Sequence, residues 1–146
     1  MKNKNFLPLL NHYTNLWGLT ECCKIASTFT SDVYKAKSKH GSVILKILND
    51  IGRKDESAGI YFLANCNGNG AAKLFEYDDQ ALLMEYLPGN DLCQFSKSGN
   101  ENRASEIFCS IIKKIKSIKP IKYQNQLTPY TKLFDFFDRI PPPNRT

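Results

Sequence analysis

Apolar positions along the chain follow two rhythms. Residues 5–18 carry Phe6, Leu9, Leu10, Tyr13, Leu16 and Trp17 at helical spacing, which predicts a helix with one apolar face, ended by Gly18. From residue 22 the rhythm shortens. Runs at 22–27, 32–37 and 42–47, separated by Thr28-Phe29-Thr30-Ser31 and Lys39-His40-Gly41, predict a three-stranded antiparallel meander. Residues 53–66 return to helical spacing, with Ile60, Leu63 and Ala64 on one face and Asp55 and Glu56 in the first turn, until Asn67-Gly68-Asn69-Gly70 stops them. Runs 72–77 and 81–86 meet at Asp78-Asp79-Gln80 as a hairpin. Residues 103–118 then place Ile107, Phe108, Ile111, Ile112, Ile115 and Ile118 on one helical side, and Pro120 ends that helix. A last helical segment is read over 127–140, with Leu133, Phe134 and Phe137, ahead of Pro141-Pro142-Pro143. The order predicts an α+β fold: an N-terminal helix, a five-stranded antiparallel sheet with one packed helix, and the opening helices of a second unit.

One residue breaks the pattern. Ser42-Val43-Ile44-Leu45-Lys46-Ile47 sets a lysine inside an apolar strand, where desolvating the ammonium costs several kcal/mol unless an anion pairs with it. Lys46 therefore calls for a carboxylate or an anionic ligand, unless the strand lies at a sheet edge and the side chain snorkels to water.

Composition narrows the partners without choosing one. A net charge of +6 over 146 residues permits contact with nucleotides, nucleic acid or acidic surfaces. Lys113, Lys114, Lys116, Lys119 and Lys122 read as a solvated basic face near a helix C-terminus, a phosphate patch being the sharper alternative. Cys22, Cys23, Cys66, Cys93 and Cys109 form no C-x-x-C pair, and with only His12 and His40 no metal-ligand spacing exists, so reduced thiols in a cytoplasm are expected. The apolar run at 6–10 is too short for a signal peptide, and no segment approaches bilayer length, so no membrane partner is expected.

Thr28-Phe29-Thr30-Ser31-Asp32-Val33-Tyr34-Lys35-Ala36 resembles the nucleotide-covering loop and second strand of kinases, with Val33 at the adenine-facing valine and Lys46 at the phosphate-binding lysine. The loop departs from the protein-kinase pattern in having no glycine: Thr28 and Ser31 stand where glycines would, and hydroxyls are expected to take over from close backbone approach. Glu56 is implied as the carboxylate that holds Lys46. Met84-Glu85-Tyr86-Leu87-Pro88-Gly89 resembles the connector between kinase lobes. By that resemblance the Glu85 carbonyl accepts from the adenine amino group, the Leu87 N–H donates to the ring, Met84 guards the pocket, and Ile44 joins the nucleotide-facing set.

With Trp17-Gly18-Leu19-Thr20, Asp55-Glu56-Ser57-Ala58-Gly59 and Gly68-Asn69-Gly70-Ala71-Ala72-Lys73-Leu74-Phe75-Glu76, these pieces occur in the order and spacing of the aminoglycoside and hydroxyurea resistance kinases, the streptomycin-phosphotransferase-like family. The resemblance covers residues 13–118. It implies a protein-kinase-like N-terminal lobe, divided as an N-terminal helix at 1–20, the lobe at 21–87, and a connector with the truncated start of a C-terminal lobe at 88–146.

The implied reaction moves the γ-phosphoryl group of ATP to an alcohol of an antibiotic-like molecule. Mg²⁺ is expected for the full-length family. The histidine-bearing catalytic loop and metal-binding aspartate are not found here, since no histidine follows His40, and Asp135-Phe136-Phe137-Asp138 reads as part of a helix. The expectations are therefore no catalytic or metal-ligating residue in this chain, weak ATP binding, no turnover alone, an aminoglycoside-like partner only once a C-terminal lobe is supplied, and self-association through the isoleucine side of 103–118. The alternatives are a non-catalytic interaction module built on the same lobe and a small basic nucleic-acid-binding protein, although no nucleic-acid partner is expected.

Overall fold

The computed structural model describes residues 6–89 and 91–119. The helix read over 127–140 and the tail beyond it lie outside the described residues. In chain order the elements are α1 (Phe6–Leu16), β1 (Thr20–Ser27), β2 (Ser31–Ser38), β3 (Gly41–Leu48), α2 (Asp50–Asp55), α3 (Ser57–Cys66), β4 (Leu74–Tyr77), β5 (Ala81–Glu85), α4 (Leu92–Phe95) and α5 (Glu101–Ser117), with a kink between the last two where Ser98 and Gly99 (φ +89°) leave helical geometry. The α+β expectation holds. The five strands form one antiparallel sheet in the order β1-β2-β3-β5-β4.

Strand alternation sorts the sheet into two faces. Val43, Leu45 and Ile47 point to one face beside Tyr34, Ala36, Ala81 and Leu83, and α1 closes it with Tyr13 while Phe6, Leu9, Leu10 and Trp17 pack around the margin. Val43, Leu45 and Ile47 are wholly buried, each worth ~1.5–3 kcal/mol relative to exposure. The opposite face carries a smaller core of Leu48, Ile60 and Leu82, bordered by Leu63, Leu74 and Met84, with α3 packed over it.

Two polar locks hold the first face. The Tyr13 hydroxyl donates to Asp78 at 2.8 Å, tying α1 to the β4–β5 turn, while Asp78 itself accepts the N–H groups of Gln80 and Ala81. Asp32, 6% exposed, accepts from Lys24 and Ser27 at 2.6 Å each and from the Tyr34 hydroxyl.

The expected single helix at 53–66 is two helices. Asn49-Asp50-Ile51-Gly52, whose residue types also suit a turn after the Lys46 strand, opens the first. Asn49 accepts from the N–H groups of Ile51 and Gly52 and so caps α2 three residues earlier than the apolar spacing suggested. Helical geometry then breaks at Glu56 (φ −100°, ψ −3°), which serves both as the end of α2 and as the N-cap position of α3. Glu56 is therefore a junction residue and not part of a first helical turn. α4 was not anticipated; Asp91 caps it by accepting from the Gln94 N–H.

Gly70 explains how α5 meets the body of the domain. At φ +82° it takes a left-handed conformation, and a Cβ there would lie 3.1 Å from Ile115 Cγ1 and 3.3 Å from Lys114 Cβ. The helix thus lies directly against the turn that follows α3. Ile107, Ile111, Ile112 and Ile115 are half-buried, and Phe108 stays 57% exposed.

Candidate functional site

The register of the sheet assembles the candidate site. Val33, Lys46 and Leu82 form one row across β2, β3 and β5, and Lys35, Ile44 and Met84 form the next, all on the face that α3 covers. Val33, Ile44, Lys46 and Met84 thus share one face by pairing alone. Because β3 is the central strand, Lys46 cannot escape at a sheet edge.

Its partner comes from the helix layer. Lys46 Nζ is bonded to Glu56 Oε2, each side chain being 25% exposed. The break between α2 and α3 positions this carboxylate. The other oxygen is also taken: Thr30 Oγ1 donates to Glu56 Oε1 at 2.7 Å. Glu56 therefore bridges the central strand and the β1–β2 turn.

That turn is tightly self-bonded. The N–H groups of Thr28, Thr30 and Ser31 donate to Ser31 O, Thr28 Oγ1 and Thr28 Oγ1 respectively. Thr28 Oγ1 and Ser31 Oγ lie 2.9 Å apart, and Ser31 is 1% exposed. The Thr28 hydroxyl oxygen and the Ser31 carbonyl thus use up these three backbone donors within the turn. In this geometry Ser31 braces the turn from inside, whereas Thr28 remains at the surface.

The amino end of α2 clamps the same turn from below. The Asn49 N–H donates to Thr30 O at 2.9 Å and its side-chain amide donates to Phe29 O at 2.7 Å. Gly52 packs so closely that a Cβ would lie 2.4 Å from Thr30 O. Thr30, Asn49 and Gly52 were not among the residues singled out by sequence. The N-cap spacing at Asn49 was the available signal for one of them.

The connector leaves the sheet at Glu85. The Glu85 N–H donates to Lys73 O at 2.8 Å and its carboxylate accepts from the Lys73 N–H at 3.2 Å. Lys35 Nζ stands 3.8 Å over the Tyr86 ring, a cation–π contact that links β2 to the connector. Leu87 is 61% exposed. A separate cavity of about 460 Å³, lined by Phe6, Leu9, Leu48, Asn49 and Gln80 among others, opens between α1 and α2 and contains none of the expected nucleotide-facing residues.

Burial, the hydrogen bond to Asp78 and its charge push the Tyr13 hydroxyl well up. Burial also pushes the Asp32 carboxyl up, but the bonds from Lys24, Ser27 and Tyr34 outweigh it and hold Asp32 below the ordinary carboxylate range. All five cysteines are free. Among the described residues no group of three or more His, Cys, Asp or Glu side chains could hold a metal ion, and no helix is long and apolar enough to cross a membrane.

Residues 16–140 match the profile of a family described as aminoglycoside/hydroxyurea antibiotic resistance kinase. The chain is similar to a streptomycin 3''-kinase of Klebsiella pneumoniae, 32% identical over 94 residues that make up 64% of this chain and 34% of that relative. It thus spans about a third of the relative's length. A solved streptomycin–ATP–APH(2'')-IIa ternary complex aligns with a TM-score of 0.46 and 20% identity over 66% of this chain and 34% of that one.

Proposed function

Since the chain belongs to the aminoglycoside/hydroxyurea antibiotic resistance kinase family, we propose that residues 21–87 are a nucleotide-binding lobe and that the site on the α3-covered face takes ATP. The observation that carries this reading is the Lys46–Glu56 pair, set on the same sheet face as Val33, Ile44 and Met84. An ammonium has three donors, so Lys46 keeps its carboxylate and still offers charge to a phosphate. The apolar row beside it gives the base a dry surface. Residues 85–87 supply the hydrogen-bonding edge, with the Glu85 carbonyl accepting and the Leu87 N–H donating. Thr28 lies at the surface of the turn beside the phosphates, and Ser31 shapes that turn from within.

The reaction proposed for the complete assembly is transfer of the ATP γ-phosphoryl group to an alcohol of an aminoglycoside-like molecule. Charge stabilisation and positioning carry such chemistry. The 146 residues supply the lysine side of it but no histidine-bearing catalytic loop, and no side chain here is assigned to Mg²⁺. The chain alone is therefore a weak ATP binder without turnover, acting in the cytoplasm, and it engages the acceptor only when a catalytic lobe is supplied. The exposed Phe108 and half-buried isoleucines of α5 support self-association of the isolated chain, with sedimentation velocity expected to show a concentration-dependent species.

Titration calorimetry with Mg-ATP tests the reading. Binding by the native chain that Lys46→Met weakens at least tenfold is expected. No binding, or equal binding by both proteins, would overturn it.

A further inference from the structure

The geometry points to Thr30 as the positioning residue of the lysine–carboxylate pair: its hydroxyl fixes Glu56 so that the opposite carboxylate oxygen faces Lys46, and it ties the β1–β2 turn to that pair. The functional consequence rests on the proposed nucleotide-binding reading.

Glu56 needs an outside hold. It stands at the junction between two helices, and its side chain has three rotatable bonds. Two donors remove that freedom. Thr30 takes Oε1 and Lys46 takes Oε2, so neither competes for the same oxygen. A carboxylate bonded on one side only could rotate toward an incoming anion and repel it.

Thr30 is suited to the role because it is fixed from both ends. Its carbonyl is held by the Asn49 N–H at 2.9 Å, and Gly52 presses against it with no room for a Cβ. Its β-branched side chain has few rotamers available, so the hydroxyl is directed at little further entropic cost. A carboxylate only accepts, so the Thr30 proton goes to Glu56, while the Thr30 N–H donates to Thr28 Oγ1 at 3.3 Å within the turn. The same residue is therefore bonded to the turn through its backbone and to the Lys46 site through its hydroxyl.

Two measurements on the full chain test this. First, Mg-ATP and adenosine affinities are compared for the native chain, Thr30→Val, which keeps the shape and removes the donor, and Thr30→Ser, which restores it. Thr30→Val is expected to weaken ATP ~3- to 10-fold and leave adenosine unchanged, because the missing bond acts on the phosphate end, and Thr30→Ser is expected to recover ATP binding. Equal losses for both ligands, or a serine variant as weak as the valine one, would overturn the assignment. Second, amide exchange at Ser31 and Asn49 is followed without nucleotide in Thr30→Val, Lys46→Met and the double variant. Non-additive protection is expected, since both residues act through Glu56. Additive effects would overturn the coupling whatever the nucleotide does. Non-additive exchange together with ATP binding indifferent to Lys46 would instead overturn the nucleotide reading and leave the Thr30–Glu56–Lys46 linkage standing.

Discussion

Glu56 reaches Lys46 from a break between two helices. The junction keeps the backbone bonded, since the Glu56 N–H donates to Gly52 O at 2.8 Å and the Ile60 N–H donates to Glu56 O at 3.2 Å, yet it lets the side chain leave the helix face and cross to the central strand. A pair that joins the helix layer to the sheet in this way couples the placement of α3 to the charge on β3.

Glu56→Ala strands a largely covered ammonium and frees the Thr30 hydroxyl. Unfolding by urea at neutral pH is expected to show a loss of ~1–3 kcal/mol, the lower end applying because the pair is 25% exposed. Adding Lys46→Met should give back part of that loss. A double variant whose effect equals the sum of the single ones would deny the coupling.

Gly52→Ala drives a methyl into backbone, not into a flexible side chain. With Thr30 O only 2.4 Å from the new Cβ, the β1–β2 turn or α2 must move. A destabilisation of ~1–3 kcal/mol is expected, with faster amide exchange at Ser31 and Asn49. Native-like exchange at both positions would count against the clamp.

Asp32 makes stability acid-sensitive. Its folded pKa lies below the ordinary 3.8, so the unfolded chain binds the proton more readily; the contribution is present above that value and is lost as pH falls through the folded one. Asp32→Asn is expected to cost ~1–3 kcal/mol at pH 7 and to flatten this acid limb. Urea midpoints measured from pH 7 down to pH 2 decide it.

Tyr13 does the reverse at high pH. Its folded pKa is raised above the ordinary 10.0 by burial and by Asp78, so its stabilisation is complete below pH 10.0 and declines as pH rises through the folded value. Tyr34 adds to the slope in the same sense, through burial and the Asp32 charge. Tyr13→Phe should lower stability by ~1–2 kcal/mol at pH 8 and reduce the fall above pH 10. An unchanged alkaline limb in thermal melts would argue that the hydroxyl is not held this way.

What the sequence disclosed follows from which signals are periodic. Val43, Leu45 and Ile47 alternate with Ile44 and Lys46, so β3 and its two faces were legible, and the hairpin at Asp78-Asp79-Gln80 was equally plain. The contact of Glu56 with Lys46 was reached through family resemblance. The helix break at Glu56 was not legible, because Asn49 suits a turn as well as an N-cap and no residue after Asp55 is a strong helix breaker ahead of Ser57. The clamp on the turn joins Thr30 to Glu56 and Phe29 to Asn49 across 26 and 20 residues, and pairings at such separation leave no trace in local spacing. Asp32 looked like a polar strand start; its burial depends on Lys24 and Ser27 arriving from β1.

The central claim is that the sheet face carrying Lys46 is the nucleotide face. Titrating Mg-ATP into isotope-labelled protein and following methyl and amide resonances tests it most directly. The account predicts shifts at Val33, Ile44, Met84 and the Leu87 amide, with Val43, Leu45 and Ile47 on the opposite face unmoved. Shifts centred on Phe6, Leu9 and Gln80 beside α1, or none at any concentration, would contradict it.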